Sequence, residues 1–197
     1  MPISVYTLET FVSQEISKLT ACSPRSIATE FPERSSWLNQ FVLRRIFHNH
    51  VPDERAPLAF ALLRRAESAL DEWELSCDAV ARGVRTVSGY FKALRHFESC
   101  IAALWQGVDF GRRALDTSVF QKGDGSPYER LNFIYNKSRH FDCHALPSGD
   151  LHPLWIANDG IYTREQSITF DELREIVVML ARIANNILTG PSPTEPR

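Results

Sequence analysis

Apolar residues recur every three or four positions over most of the chain, which is the spacing of one face of an α-helix. The longest such pattern predicts a helix from about Glu54 to Arg82, with Pro57 in its first turn and Gly83 at its end. Its apolar stripe consists of Leu58, Leu62, Ala66, Ala69, Trp73, Cys77 and Val80. A second long helix is predicted from near Ser88, with heptad-like spacing of Tyr90, Leu94, Phe97, Ile101, Leu104 and Val108.

Shorter patterns predict further helices. The segment from Tyr6 to Leu19 is weakly helical, and Ser36 is suited to cap a short helix that contains Trp37. Another helix is predicted from about Pro127 to Cys143, because Ser126 is a favourable cap and proline is tolerated in a first turn.

The C-terminal part combines a β element with a last helix. The segment from Trp155 to Thr163 has the pattern of a small β-hairpin, and Asp159-Gly160 is predicted to form its turn. Thr169 and Glu172 have the spacing of a capping box, so the last helix is expected to begin there and to end at Gly190.

These elements together predict the fold class and the domain organisation. We expect an all-α, up-and-down bundle of four to six helices, with one small β-hairpin before the last helix. Residues 1–190 are predicted to form a single domain. Residues 191–197 contain three prolines and are predicted to be a disordered tail.

Composition and charge limit the classes of function. Of 197 residues, 44% are hydrophobic and 23% are charged, as expected for a folded domain. The formal net charge is −2, so any contact with RNA is expected to be local. The sequence has no signal-peptide pattern and no apolar stretch near the roughly 20 residues that span a bilayer. We therefore expect a cytoplasmic protein without a membrane contact.

Chemically versatile side chains are concentrated in residues 136–144, which read Asn-Lys-Ser-Arg-His-Phe-Asp-Cys-His. His140 and His144 are four residues apart, a spacing that allows two imidazoles on one helix face to bind a metal ion. No recognised zinc-ligand spacing completes the set, and the chain has no glycine-rich phosphate loop. The sequence therefore predicts neither a metal nor a cofactor.

The same segment resembles the motif of the HEPN superfamily. In that motif an arginine is followed by Asn, Asp or His, then by three free residues and a histidine, and Arg139, His140 and His144 fit this order. The predicted helical bundle is also similar to the fold of the family. Looser similarities are found in residues 93–98 and 131–136.

The resemblance implies metal-independent cleavage of RNA, as in ribonuclease toxins and phage-defence proteins. A histidine would act as general base or acid while the RNA 2′-hydroxyl attacks the adjacent phosphate, and an imidazole changes its charge close to neutral pH. The arginine would bind the phosphate and stabilise its developing charge. The resemblance also implies a homodimer, because such sites usually form between two copies.

Two registers of the motif remain open. In the first, Arg139 and His144 are the catalytic pair, and His140 and Asn136 assist. In the second, Asn136 and His140 match the polar and histidine positions, a tyrosine occupies the arginine position, and Arg139 or Lys137 supplies the cation. Alternatively, residues 136–144 are only a capped helix end with a solvated polar face and have no catalytic role. The alternative function is a non-catalytic HEPN-like bundle that binds a protein or nucleotide partner.

Overall fold

The computed structural model describes residues 2–48, 51–115, 118–140, 146 and 149–189. These residues form five α-helices: α1 (Trp37–His48), α2 (Ala56–Arg82), α3 (Val87–Leu115), α4 (Pro127–Arg139) and α5 (Phe170–Thr189). Three short strands, β1 (Trp155–Ile156), β2 (Gly160–Tyr162) and β3 (Ser167–Thr169), form one antiparallel sheet. The predicted helical bundle with a small β element before the last helix is confirmed. The predicted tail, residues 191–197, lies outside the described residues.

Helices α2 and α3 form the centre of the bundle. Only residues 83–86 connect them, so they pack as an antiparallel helical hairpin. Gly83 ends α2 with a φ angle of 113°, as its position predicted. Fully buried Trp73 of α2 and Phe97 of α3 are in edge-to-face contact, with 6.1 Å between ring centroids. Phe97 also stacks on Phe170 at 5.2 Å, which joins α5 to the pair.

The predicted start of the last helix is confirmed. The Thr169 backbone N–H donates to the Glu172 carboxylate at 3.0 Å, and the Glu172 N–H donates to Thr169 Oγ1 at 3.2 Å. Two orphan N–H groups of the first turn are thereby satisfied.

Two predicted helices are different in the structure. The segment predicted to be weakly helical forms two 3-10 helices, Val5–Glu9 and Gln14–Lys18. Ser13 separates them, because its hydroxyl caps the second by accepting from the Glu15 N–H.

The helix predicted to reach Cys143 ends earlier. α4 ends at Arg139, and His140 is its C-cap with φ −104° and ψ 62°. The buried positions Leu131 and Ile134 are followed by the polar Ser138, so burial no longer favours the helix there. Residues 141–145 lie outside the described residues.

The predicted role of Gly160 is also wrong. The Ala157 N–H donates to the Gly160 carbonyl at 2.9 Å, so Asn158 and Asp159 are the central turn residues and Gly160 lies in β2. Its φ angle is not positive. A Cβ at this position would overlap the carbonyl of Ile168, because β3 approaches closely and extends the hairpin to a third strand.

Tyr90 attaches the sheet to the bundle. Its buried hydroxyl accepts a hydrogen bond from the Ile156 N–H at 2.7 Å and donates to the Ile156 carbonyl at 3.2 Å. Both backbone groups of this β1 residue therefore depend on one side chain of α3. The ordinary pKa of tyrosine already keeps the hydroxyl protonated at physiological pH, and burial raises the pKa of Tyr90 further.

We expect Tyr90→Phe to lower the free energy of unfolding by about 1–3 kcal/mol, because it leaves buried backbone groups of Ile156 unsatisfied. Tyr128→Phe is the matched control, since the Tyr128 hydroxyl makes no hydrogen bond to another described residue and is half-buried. Urea unfolding measures both variants. Equal stability of the two variants would contradict the role of the Tyr90 hydroxyl in attaching the sheet to the bundle.

A groove along helix α4 as the candidate functional site

The inner face of α4 is fixed to the bundle, so its outer face is presented to solvent. Leu131 and Ile134 are fully buried. Arg130 donates to the Ser167 carbonyl at 3.2 Å and to the Glu172 carboxylate, which ties α4 to β3 and α5. Burial raises the pKa of Glu172, but hydrogen bonds from the Thr169 N–H and from Arg130 outweigh it, and the net pKa is lowered.

An open groove of about 630 Å³ follows this outer face, and its volume lies in the range of small-molecule sites. We call it the α4 groove; its lining residues are Phe120, Lys122, Glu129, Asn132, Phe133, Asn136, Lys137, His140, Leu146 and Pro153. The lining includes the Glu129 carboxylate, which accepts hydrogen bonds from the Gly123 and Gly125 N–H groups, and it combines aromatic rings, side-chain amides and ammonium groups. These groups stack on bases, hydrogen-bond to base edges and bind phosphates, respectively.

Asn132, Asn136 and His140 form one row, because four-residue spacing aligns side chains along a helix. The Asn136 amide donates to the Asn132 side-chain oxygen at 3.0 Å. That bond leaves further donors and acceptors on both amides for a ligand. His140 is exposed, and its ring makes no hydrogen bond to another described residue. Its imidazole is therefore accessible from the groove.

Lys137 supplies a positive charge to the groove. Its Nζ lies 5.4 Å from the centroid of the Phe133 ring and 2.8 Å from Glu165 Oε1. The hydrogen bond from Lys137 lowers the pKa of Glu165. The Lys137 and Glu165 side chains are 35% and 51% exposed, so their ion pair contributes little to stability. A ligand anion would therefore replace Glu165 at low cost.

Arg139 lies beside the groove and is not among its lining residues. Its guanidinium carbon is 5.9 Å from the centroid of the Tyr135 ring. Tyr135 in turn packs against Trp105, with 6.3 Å between ring centroids. Arg139 and His140, although adjacent in sequence, therefore point to different neighbours.

The four predicted site residues have different outcomes. Asn136 and His140 share the α4 groove, and Arg139 stacks beside it. His144 lies outside the described residues, so its position relative to the other three stays a prediction.

Two aromatic–cation pairs on α4 were not predicted from the sequence. Phe133 pairs with Lys137, and Tyr135 pairs with Arg139. Both pairs have i, i+4 spacing, and they flank the asparagine row on its two sides. The i, i+4 spacing could have predicted both pairs from the sequence, but only if the aromatic residues are considered together with the cations.

A half-buried carboxylate supports the end of the groove. Ser138 Oγ donates to Glu98 Oε1 at 3.0 Å, and His152 Nε2 lies 3.7 Å from the same oxygen. The cluster joins α3, the last turn of α4 and the segment before β1, next to the groove residue Pro153. Desolvation by burial raises the pKa of Glu98, and this effect outweighs the opposing influence of His152 and Ser138.

No protein family, curated protein or solved structure matches this chain. Within the described part of the chain, no three His, Cys, Asp or Glu side chains are grouped so that they could hold a metal ion. In the same part of the chain, no helix has the length and hydropathy needed to cross a membrane.

The raised pKa of Glu98 predicts a pH dependence of stability. A carboxyl with a raised folded-state pKa stabilises the fold while it is protonated, and this contribution is lost as the pH rises from the ordinary value of 4.5 through the folded-state pKa. Glu98→Gln keeps an acceptor for Ser138 but cannot ionise. We expect its free energy of unfolding, relative to wild type, to increase as the pH is raised from below 4.5 through the folded-state pKa of Glu98.

Urea unfolding across this range measures the effect. Glu175→Gln, an exposed substitution on α5, controls for the general loss of a negative charge. The raised pKa of Glu98 would be contradicted if the stability of Glu98→Gln relative to wild type fell with rising pH. It would also be contradicted if Glu98→Gln changed only as much as the control.

Proposed function

We propose that the protein is a metal-independent endoribonuclease, similar to HEPN ribonucleases, that acts on single-stranded RNA in a toxin or phage-defence system. The observation that carries the proposal is the shared lining of the α4 groove by His140, Asn136 and Lys137. An acid–base group, an amide and a cation are thereby accessible to one ligand.

The other lining residues support RNA as the ligand. Phe120 and Phe133 offer rings on which unpaired bases stack, and such stacking tolerates any base sequence. Lys122 and Lys137 offer positive charge to the phosphates. The net charge of −2 gives no general attraction to RNA, so the affinity has to come from this local set.

The chemistry follows from an imidazole next to a 2′-hydroxyl. His140 accepts the 2′ proton while the 2′ oxygen bonds to the adjacent phosphorus and the bond to the 5′ oxygen breaks. The departing 5′ oxygen takes up a proton from water, and the products are a 2′,3′-cyclic phosphate and a 5′-hydroxyl; the protonated His140 then releases its proton to water. Lys137 stabilises the charge on the phosphoryl oxygens. The position of Lys137 favours the second register; the first depends on His144.

A second candidate function is non-catalytic binding of RNA or a nucleotide in the same groove. The stacking of Arg139 on Tyr135 favours it, because the cation adjacent to His140 is held beside the groove and not in it. Binding would then use the aromatic rings and the amides without cleavage.

We also propose a homodimer, as the resemblance to HEPN ribonucleases implies. Helix α1 exposes four large apolar side chains that a second copy would bury: Val42, Leu43, Ile46 and Phe47. Light scattering should give about twice the chain mass of 22.4 kDa. Ile46→Lys should reduce the mass to that of one chain, and a monomeric wild type would contradict the proposal.

The decisive experiment is cleavage of end-labelled single-stranded RNA in the presence of EDTA. We expect cleavage by wild type and a loss of roughly 100-fold or more in His140→Ala, the magnitude of general acid–base catalysis. Asn136→Ala and Arg139→Ala test the remaining site residues. If His144→Ala is inactive and His140→Ala retains activity, the first register is correct.

Binding to the same RNA separates the two candidate functions. Lys137→Ala should weaken RNA binding. It should also reduce the slope of log K against log salt concentration by about the amount expected for one lost phosphate contact. Lys92→Ala, which removes an exposed lysine of α3, is the matched control and should leave both unchanged. Binding without cleavage by wild type would favour the second candidate, and neither binding nor cleavage would contradict both.

A further inference from the structure

A second groove lies among helices α2, α3 and α5 and shares no lining residue with the α4 groove. We call it the apolar groove. Its volume of about 440 Å³ is that of a small-molecule site. Its walls consist mainly of aliphatic side chains: Leu58, Leu62, Val108, Met179, Ile183 and Ile187.

Two arginines give the apolar groove a positive charge. Arg55 and Arg112 line it, and no described lining residue is acidic. Arg112 is bound to Asp109 at 3.0 Å, but Arg113 binds the same carboxylate at 2.6 Å, so one aspartate serves two guanidinium groups. Arg55 forms no ion pair with another described residue and precedes the first turn of α2, where the helix dipole adds positive potential.

We propose that the apolar groove binds a free long-chain carboxylate of the fatty-acid type. The aliphatic walls would bury the chain, and Arg55 and Arg112 would bind the carboxylate. A wholly apolar ligand would leave the arginines unused, whereas a nucleotide would place polar groups against aliphatic walls without hydrogen bonds. This site is independent of RNA cleavage in the α4 groove.

Gly111 of α3 offers a way to close the apolar groove without disturbing the fold. It lines the groove, and an added Cβ would meet only Leu62 Cδ1, at the ordinary contact distance of 3.5 Å. Gly107, one turn earlier, has no such space, because a Cβ there would lie 2.7 Å from Leu180 Cδ2. Replacing a glycine inside a helix also favours folding. Gly111→Leu should therefore fill the groove in a stable protein.

The first arm of the test is calorimetric titration of the full chain with laurate below its micelle concentration. Wild type should bind saturably, and Gly111→Leu should bind at least about 10-fold more weakly while its melting temperature stays at or above that of wild type. Gly111→Ala is the matched control, because it gains the same helix propensity but fills less space. It should keep binding.

The second arm tests the carboxylate. The double substitution Arg55→Gln and Arg112→Gln should weaken laurate binding by roughly 10-fold and leave binding of neutral dodecanol unchanged. Arg82→Gln with Arg85→Gln removes the same charge from exposed positions outside the groove, so laurate binding should be retained.

Any one of four results would overturn the proposal. Wild type would show no saturable laurate binding, Gly111→Leu would bind laurate as tightly as wild type, or the arginine pair would have no greater effect than its control. If Gly111→Leu converts an oligomer to a monomer, the occupant is a second copy of the chain and the proposal is wrong. RNA cleavage and dimerisation through α1 are measured in separate experiments. A negative result in either of them would not change the interpretation of the laurate titrations.

Discussion

The contact of Phe97 with Trp73 and Phe170 is the constraint on which the remaining structure depends. One buried ring of α3 packs on an aromatic residue from α2 and on the first residue of α5, so three helices are fixed relative to one another. The next residue, Glu98, is thereby directed to the last turn of α4. The candidate site is therefore positioned by packing in the core.

Typical free energies also indicate that core packing, and not surface ion pairs, holds α4 in place. Removing a buried aromatic side chain typically costs about 3–5 kcal/mol, whereas an exposed ion pair contributes about 0–1 kcal/mol. The surface pair of Lys137 and Glu165 therefore cannot hold α4 in place, but Leu131 and Ile134 can. Because the Lys137–Glu165 ion pair is weak, Lys137 can leave Glu165 and bind a ligand at the outer face of α4 instead.

Local patterns in the sequence predicted the helices and the capping box because periodicity and capping depend on neighbouring residues. They failed at Ser13, whose local cap separates two 3-10 helices, and they failed where distant residues decide. Gly160 is required by the approach of β3, and a hairpin rule based on Asp-Gly alone assigned it to the turn. Ser138 meets Glu98 across 40 positions, which no pattern within one helix reveals. Asn136 and His140 were predicted together because they are one helical turn apart.

The central claim is that the outer face of α4 binds single-stranded RNA. Photo-crosslinking of the full protein to thiouridine-containing single-stranded RNA, followed by mass spectrometry of the peptides, tests it most directly. The account predicts crosslinks at Phe133 and Phe120, which line the α4 groove, and competition by unlabelled single-stranded RNA. Crosslinks confined to other surfaces, or none at a saturating RNA concentration, would contradict it.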